Sequence, residues 1–302
     1  MNSLEAEIAI TSLNDTGDFK ILRKVNLDQD TRFSRRSVPN KQIGLCIDTE
    51  TTGLNYAQDK IIELGIVAFE FDPVTAEIIK VVGRYSGFED PGFSISAETT
   101  EITGITDDMV RGHSFDDAQV DKFAVQATIV IAHNAGFDRK FVEARFPSFS
   151  RQPWACSVNQ IDWHAERITT RVLEYLLFKS GWFINAHRAL DDAEGLLGLL
   201  LGRLPKSDAL VFKALLDRYE EVTSKICAVG APFDKKDLLK QRGYRWNDGV
   251  QGGCKAWWIS ISGDNERDEL SWLSSEVYSG NLPDCVEIRR INSLDRFSVR
   301  DT

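Results

Sequence analysis

The stretch "QIGLCIDTETTGL" (Gln42–Leu54) begins as an apolar run and ends with two carboxylates, Asp48 and Glu50, one residue apart. Alternate residues of a strand project from the same face, so the two acids point together. Like charges held this close need a compensating cation. A carboxylate pair on an apolar strand also has no packing purpose of its own. The stretch therefore reads as a buried strand that ends at a cation site.

The sequence around it alternates strand and helix signals. "KIIELGIVAFEFDPVTAEIIKVVGRY" reads as two antiparallel strands joined by a turn at Asp72-Pro73. "ATIVIAHN" reads as a fourth strand, followed by a helix over "FDRKFVEARF" that Pro147 stops, and "WACSV" as a fifth strand. "ITTRVLEYLLFKSG" and "LDDAEGLLGLLLGRL" carry helical periodicity. Residues 41–205 thus predict an α/β domain with a central mixed sheet. Residues 1–40 stand as an N-terminal extension with a helix near Leu4–Leu13 and a basic cluster at Arg32–Arg36, and 206–219 as a linker helix. Residues 220–302 read as a small accessory module of β-α-β-α-β order.

Composition excludes several classes. The chain has 302 residues, 42% hydrophobic and 27% charged, as in an ordinary soluble globular protein. No apolar run reaches the eighteen residues of a membrane span, and the start has no basic-then-apolar leader. The five cysteines (46, 156, 227, 254 and 285) are scattered without a C-x-x-C pair. This pattern predicts reduced thiols in a cytoplasmic protein rather than a disulfide framework or zinc site. The net charge of −10 is concentrated in residues 41–218, which hold −8, while 1–40 are neutral and 219–302 hold −2. Most of these acids serve solvation; a few are free to hold metal.

Two later segments add to the carboxylate pair. "AHNAGFDRKF" puts Asp138 in the first turn of a helix, and "NAHRALDDAEG" supplies His187 with Asp192 five residues on. That spacing does not align two side chains on one helix face. It places the histidine on a loop and the aspartate inside the first turn of the helix that follows. Taken singly, Asp138 and Asp192 read as helix-start acids that complement the macrodipole, and His187 as structural.

Together, "DTETTG", "HNAGFD" (His133–Asp138) and "HRALDD" (His187–Asp192) resemble the three motifs of the DEDDh, DnaQ-like 3′–5′ exonucleases, most closely the epsilon-type proofreading subunits of bacterial DNA polymerase III. The resemblance covers residues ~42–203 and implies an RNase H-like exonuclease fold. It implies that Asp48, Glu50, Asp138 and Asp192 hold two Mg²⁺ or Mn²⁺ ions and that His187 is the general base. Carboxylate oxygens suit such hard ions, and an ion pair of this kind stabilises both the attacking and the leaving oxygen of a phosphodiester displacement. The resemblance further implies that Thr51, Gly53 and Leu54 bind the 3′-terminal nucleotide and that Asn134 braces the site. DNA is the expected substrate, nucleoside 5′-monophosphates the product, and a polymerase or repair protein the expected partner. A 3′–5′ exoribonuclease and a non-catalytic adaptor that binds 3′ ends compete with this reading.

The C-terminal module carries six basic residues against two acids between Lys235 and Lys255, interleaved with Tyr244, Trp246, Trp257 and Trp258. Cations beside exposed aromatics suit single-stranded nucleic acid, which makes Lys235, Lys236, Arg242, Arg245 and Trp246 candidate contacts. The competing reading has the aromatics as core and the lysines as a helix coat. Trp257 and Trp258, adjacent on one strand, must face opposite sides.

Overall fold

In the computed structural model, which describes residues 3–250, 253–284 and 286–301, the chain forms two units, Met1–Leu216 and Asp217–Thr302. The first opens with α1 (Ser3–Asp15) and β1 (Arg23–Lys24). Its main sheet consists of β2 (Gln42–Thr51), β3 (Ile61–Phe71), β4 (Ile78–Phe88), β5 (Ile129–Ala132) and β6 (Trp154–Cys156), in the spatial order β4-β3-β2-β5-β6. The β2-β3-β4 part is antiparallel, and β2-β5-β6 is parallel. The sheet is therefore mixed, as the sequence predicts.

Pattern explains placement. β3 is buried at ten of its eleven positions, the signature of a strand covered on both faces. The turn after it is closed by Asp72, whose side chain accepts the Val74 N–H at 2.8 Å. α2 (Ala97–Thr103) starts on the Ser96 cap and stops at Gly104, whose φ of 69° is the left-handed geometry of a helix end. α3 (Asp107–Val110) follows, then α4 (Asp117–Gln126), capped by Asp116. α5 (Ala135–Arg145) leaves β5 directly, and Pro147 opens the short turn beyond it. α6 (Leu173–Lys179), β7 (Trp182–Phe183) and α7 (Ala189–Leu200) complete the domain with most of α8 (Val211–Tyr219).

Two expected boundaries move. Residues 1–40 are not a mere extension: β1 pairs in parallel with β7, and Val25 and Leu27 are buried. Arg32 of the basic cluster is spent inside this unit, on Asp30 at 2.6 Å and on the Gly198 carbonyl at 2.9 Å. Nor is 206–219 a linker. Phe212 of α8 is fully buried, edge-on to Phe69 and Phe71 at 5.5 and 5.0 Å, and the division between the units falls after Leu216. Both misreadings concern contacts between residues far apart in sequence, which local periodicity does not encode.

The second unit runs β8 (Thr223–Ala228), α9 (Lys236–Arg242), β9 (Arg245–Trp246), β10 (Trp257–Ser262), α10 (Glu266–Trp272) and β11 (Glu287–Ile291). The four strands are antiparallel in the order β11-β8-β10-β9. This β-α-β-β-α-β arrangement, a split β-α-β plait, corrects the expected β-α-β-α-β order; β9, only two residues long, carries no periodic signal. Ile226, Ala228, Leu239, Tyr244, Leu273 and Val277 form the core, with Trp257, Ile259 and Ile261 packed against it.

The thiol expectation is also corrected. Cys227 of β8 and Cys254, in the segment before β10, are joined by a disulfide, since antiparallel pairing of the two strands brings together residues 27 apart in sequence. Cys46 and Cys156 are buried free thiols; Cys285 lies outside the described residues. Among the described residues, no helix is long and apolar enough to cross a membrane.

Candidate active site

In the β2–β3 register Asp48 stands opposite Gly65 and Glu50 opposite Glu63. Residues directly opposite share a face of the sheet, so all four point to one side. α7 begins on that side. A Cβ on Gly65 would stand 2.2 Å from the Ala189 carbonyl carbon and oxygen, so only glycine lets the start of the helix lie this close to the strand. Glu63 fixes that start. Its buried carboxylate accepts from Arg188 Nη2 at 3.0 Å, Arg188 Nε at 3.2 Å and the Ala189 N–H at 3.3 Å.

The loop entering α7 bends at His187, whose φ is 66°. His187 is exposed and lies ahead of the helix, with Asp192 in the first turn, as the five-residue spacing predicts. Asp192 turns back to accept the Arg188 N–H at 3.2 Å. One carboxylate oxygen from each of Asp48, Glu50 and Asp192 lies within 4.8 Å of the others. Asp138 stands outside this trio. It sits in the first turn of α5, 3% exposed, and accepts a hydrogen bond from Thr49 Oγ1 at 2.9 Å. Asp138 is nevertheless close to the trio, since its charge acts on Asp48 more strongly than that of Asp192 or Glu50.

Burial and mutual repulsion act together on these acids. Asp48 is pushed well above the usual carboxylate range, first by burial and then by Asp138, Asp192, Glu50 and Glu63. Glu50 is raised to about 8 by burial and by Asp192 and Glu63, with Arg188 opposing. Burial also raises Asp138 against the Thr49 hydrogen bond, and Asp192 against the Arg188 and His187 amides. Arg188, the nearby guanidinium, is already engaged by Glu63. A set of oxygen donors this close, carrying uncompensated charge, fits hard divalent cations.

The "TTGL" segment forms a tight turn over Asp59. Thr51 Oγ1 donates to the Gly53 carbonyl at 2.6 Å and Thr52 Oγ1 to Asp59 at 3.2 Å. A Cβ on Gly53 would meet the Asp59 carboxylate at 2.6 Å, so the close approach that requires this glycine is to the protein itself. Leu54 is 86% exposed. Asn134, at a φ of 83°, makes the left-handed turn into α5, and its side chain does not cap the helix. The motif's His133 is structural: Nδ1 lies 2.8 Å from Ser157 Oγ and Nε2 2.7 Å from the Arg171 carbonyl. Burial lowers its pKa to about 4.

The remaining candidates belong to the second unit. Lys236 lies over Phe233 at 4.3 Å, Arg242 pairs with Glu269 at 3.0 Å, and Lys235 ends the turn before α9. Arg245 and Trp246 form β9. Sequence reasoning missed Glu63 and Gly65. The signal was there: a glutamate inside "IIELGIV" is as unexpected on an apolar strand as Asp48 is on its neighbour.

The family model described as Exonuclease matches residues 45–200, just over half of the chain, from within β2 to the end of α7. The chain belongs to the exonuclease family. Its mixed-sheet α/β domain is the exonuclease fold, extended by the C-terminal plait. DNA polymerase III subunit epsilon from Treponema pallidum is 32% identical over 155 residues, covering 48% of this chain and 69% of that protein. DNA polymerase III PolC-type from Listeria welshimeri is 38% identical over 101 residues, 33% of this chain and only 6% of the polymerase. The corresponding protein of Thermotoga petrophila is 29% identical over 183 residues, 56% of this chain and 12% of the relative. The chain thus spans a small fraction of the PolC-type relatives. Among solved structures, exonuclease X in complex with 5′ overhanging duplex DNA aligns with a TM-score of 0.40 at 24% identity, covering 56% of this chain and 99% of that one.

Proposed function

We propose that this exonuclease-family chain removes nucleotides stepwise from the 3′ ends of single-stranded or frayed DNA and releases nucleoside 5′-monophosphates. The observation that carries the reading is the convergence of Asp48, Glu50 and Asp192 within 4.8 Å, with the Asp138 charge acting on Asp48. These four acids would hold two Mg²⁺ or Mn²⁺ ions, which when bound supply charge stabilisation at the phosphate and a lowered pKa for the attacking water. In the chemical step the water oxygen bonds to phosphorus, the P–O3′ bond breaks, and the leaving O3′ gains a proton. His187, exposed just ahead of the helix whose first turn carries Asp192, is suited to take the proton from the water. The backbone around Thr51–Gly53 and the exposed Leu54 side chain are suited to hold the terminal nucleotide, and Asn134 to position α5.

DNA is the favoured substrate because relatives 32% and 38% identical to this chain are named as DNA polymerase III proteins. The same likeness supports a polymerase or repair assembly in the cytoplasm as the setting. The test uses 5′-labelled single-stranded DNA and a matched RNA, each with Mg²⁺, Mn²⁺ or EDTA, beside Asp48→Ala. A 3′-shortening ladder on DNA that vanishes in EDTA and in the variant is expected. A ladder on RNA alone would keep the chemistry and change the substrate. No ladder on either would leave a 3′-end-binding adaptor as the better account.

A further inference from the structure

The helices of the C-terminal plait lie on one side of its sheet. Ile226 and Ala228 of β8 and Trp257, Ile259 and Ile261 of β10 face the core formed with α9 and α10. Strand alternation sends the intervening residues to the other face. The register lines these up in two rows. One runs Glu287, Cys227, Trp258, Arg245 across β11, β8, β10 and β9; the next runs Arg289, Lys225, Ser260. Of the two adjacent tryptophans, Trp257 is thus the core residue and Trp258 the outward one.

Three cations gather around that outward indole. The Lys225 ammonium lies 4.9 Å and the Arg245 guanidinium 5.8 Å from the Trp258 ring centre. Arg289 stands beside Lys225 on the neighbouring strand, and both arginines are exposed. Beside the indole lies a hollow of about 220 Å³, walled by Trp258, Lys225, Arg289, Asn247, the acid Glu287 and the Cys227–Cys254 disulfide. The C-terminal segment touches one end of this face, where the Asp301 carbonyl accepts from Lys225 and the Arg300 carbonyl from Arg289. Glu287, at the edge of the first row, is the one acid among the rows.

From this arrangement we infer that the helix-free sheet face of the plait binds single-stranded nucleic acid. The bases stack on Trp258, and the phosphates run along Arg245, Lys225 and Arg289. A flat indole in a hollow accepts a base only when that base is unpaired, and cations flanking it at strand spacing follow a phosphate backbone. The diagonal from β9 to β11 spans roughly 15 Å at the usual distance between strands, a length suited to a few nucleotides. The Cys227–Cys254 bond pins the segment before β10 to the sheet and fixes one wall of the hollow. This inference stands apart from the exonuclease reading, because binding without divalent ions and cutting with them are separate readouts.

The test measures fluorescence anisotropy of 5′-labelled dT20 and rU20 with the full chain in EDTA, over a range of salt. Trp258→Ala should weaken binding roughly tenfold, within the range of a lost stacking platform, and Trp258→Phe should restore most of it. The double variant Arg245→Glu with Arg289→Glu alters two exposed side chains. It should weaken binding and flatten the salt dependence by about 0.7 per lost phosphate contact. A loss on both polymers would assign the face to either sugar, and a loss confined to one would name it. Parental affinity and salt slope in the double variant, on both polymers, would overturn the inference even if Trp258→Ala failed to fold.

Discussion

The two units use charge in opposite ways. The exonuclease domain gathers Asp48, Glu50, Asp138 and Asp192 where burial and repulsion raise every one of them. The plait spreads Lys225, Arg245 and Arg289 over a surface around one indole. The first arrangement is incomplete without cations and suits chemistry at a point. The second is stable in water and suits adhesion along a strand. Stored repulsion marks a reaction centre more sharply than surface charge marks a binding face.

The largest effect that would sharpen this contrast is expected at the acids. Asp192→Asn should lower hydrolysis by about a thousandfold or more, because charge stabilisation by a held ion contributes several kcal/mol. Its apo-form melting temperature should rise or hold, since a repelling charge is gone. A variant that cut normally would break the contrast at its root. Next comes reduction of Cys227–Cys254. Closing a 27-residue loop contributes about 3.5 kcal/mol, so dithiothreitol should lower the unfolding midpoint of the plait while hydrolysis of a dinucleotide is unchanged.

Gly65→Ala should cost ~1–3 kcal/mol through overpacking against Ala189 and reduce activity more than stability, because α7 carries Asp192. Thermal melts and turnover on the same preparation would show whether the two losses separate. The smallest effect concerns pH. Glu50, raised to about 8 in the fold against 4.5 for the ordinary group, keeps between those values a proton that the unfolded chain has already released. Metal-free protein should therefore lose stability as pH rises from about 6.5 to above 8, and excess Mg²⁺ should abolish that slope. Buried His133 acts in the opposite sense, but only between 6.5 and about 4, below this window. A flat apo profile would mean the acids are less strained than their burial implies.

Much of the exonuclease domain was legible in the sequence because its signals are local. Asp48 and Glu50 close one strand, Asp138 opens one helix, and His187 with Asp192 straddles the start of another. The mixed sheet followed from alternation and turn chemistry around Asp72-Pro73. What the sequence did not disclose depends on contacts across long separations. Glu63 reaches Arg188, Gly65 underlies Ala189, and Arg23 of the supposed extension pairs with Trp182. Short elements escaped as well, β9 above all, and with it the strand order that places Trp258 opposite the helices. The cysteines misled because spacing reveals a clustered site but not two residues that a sheet joins.

Gly65 carries one more consequence. The proposed site draws its acids from positions 48, 50, 138 and 192, and the last arrives only when α7 settles against the bare strand backbone at Gly65. A nascent chain that has already formed β2 to β6 would hold three of the acids and lack the fourth. On the proposed reading, a copy in which α7 has not yet docked on β3 would be silent as a nuclease.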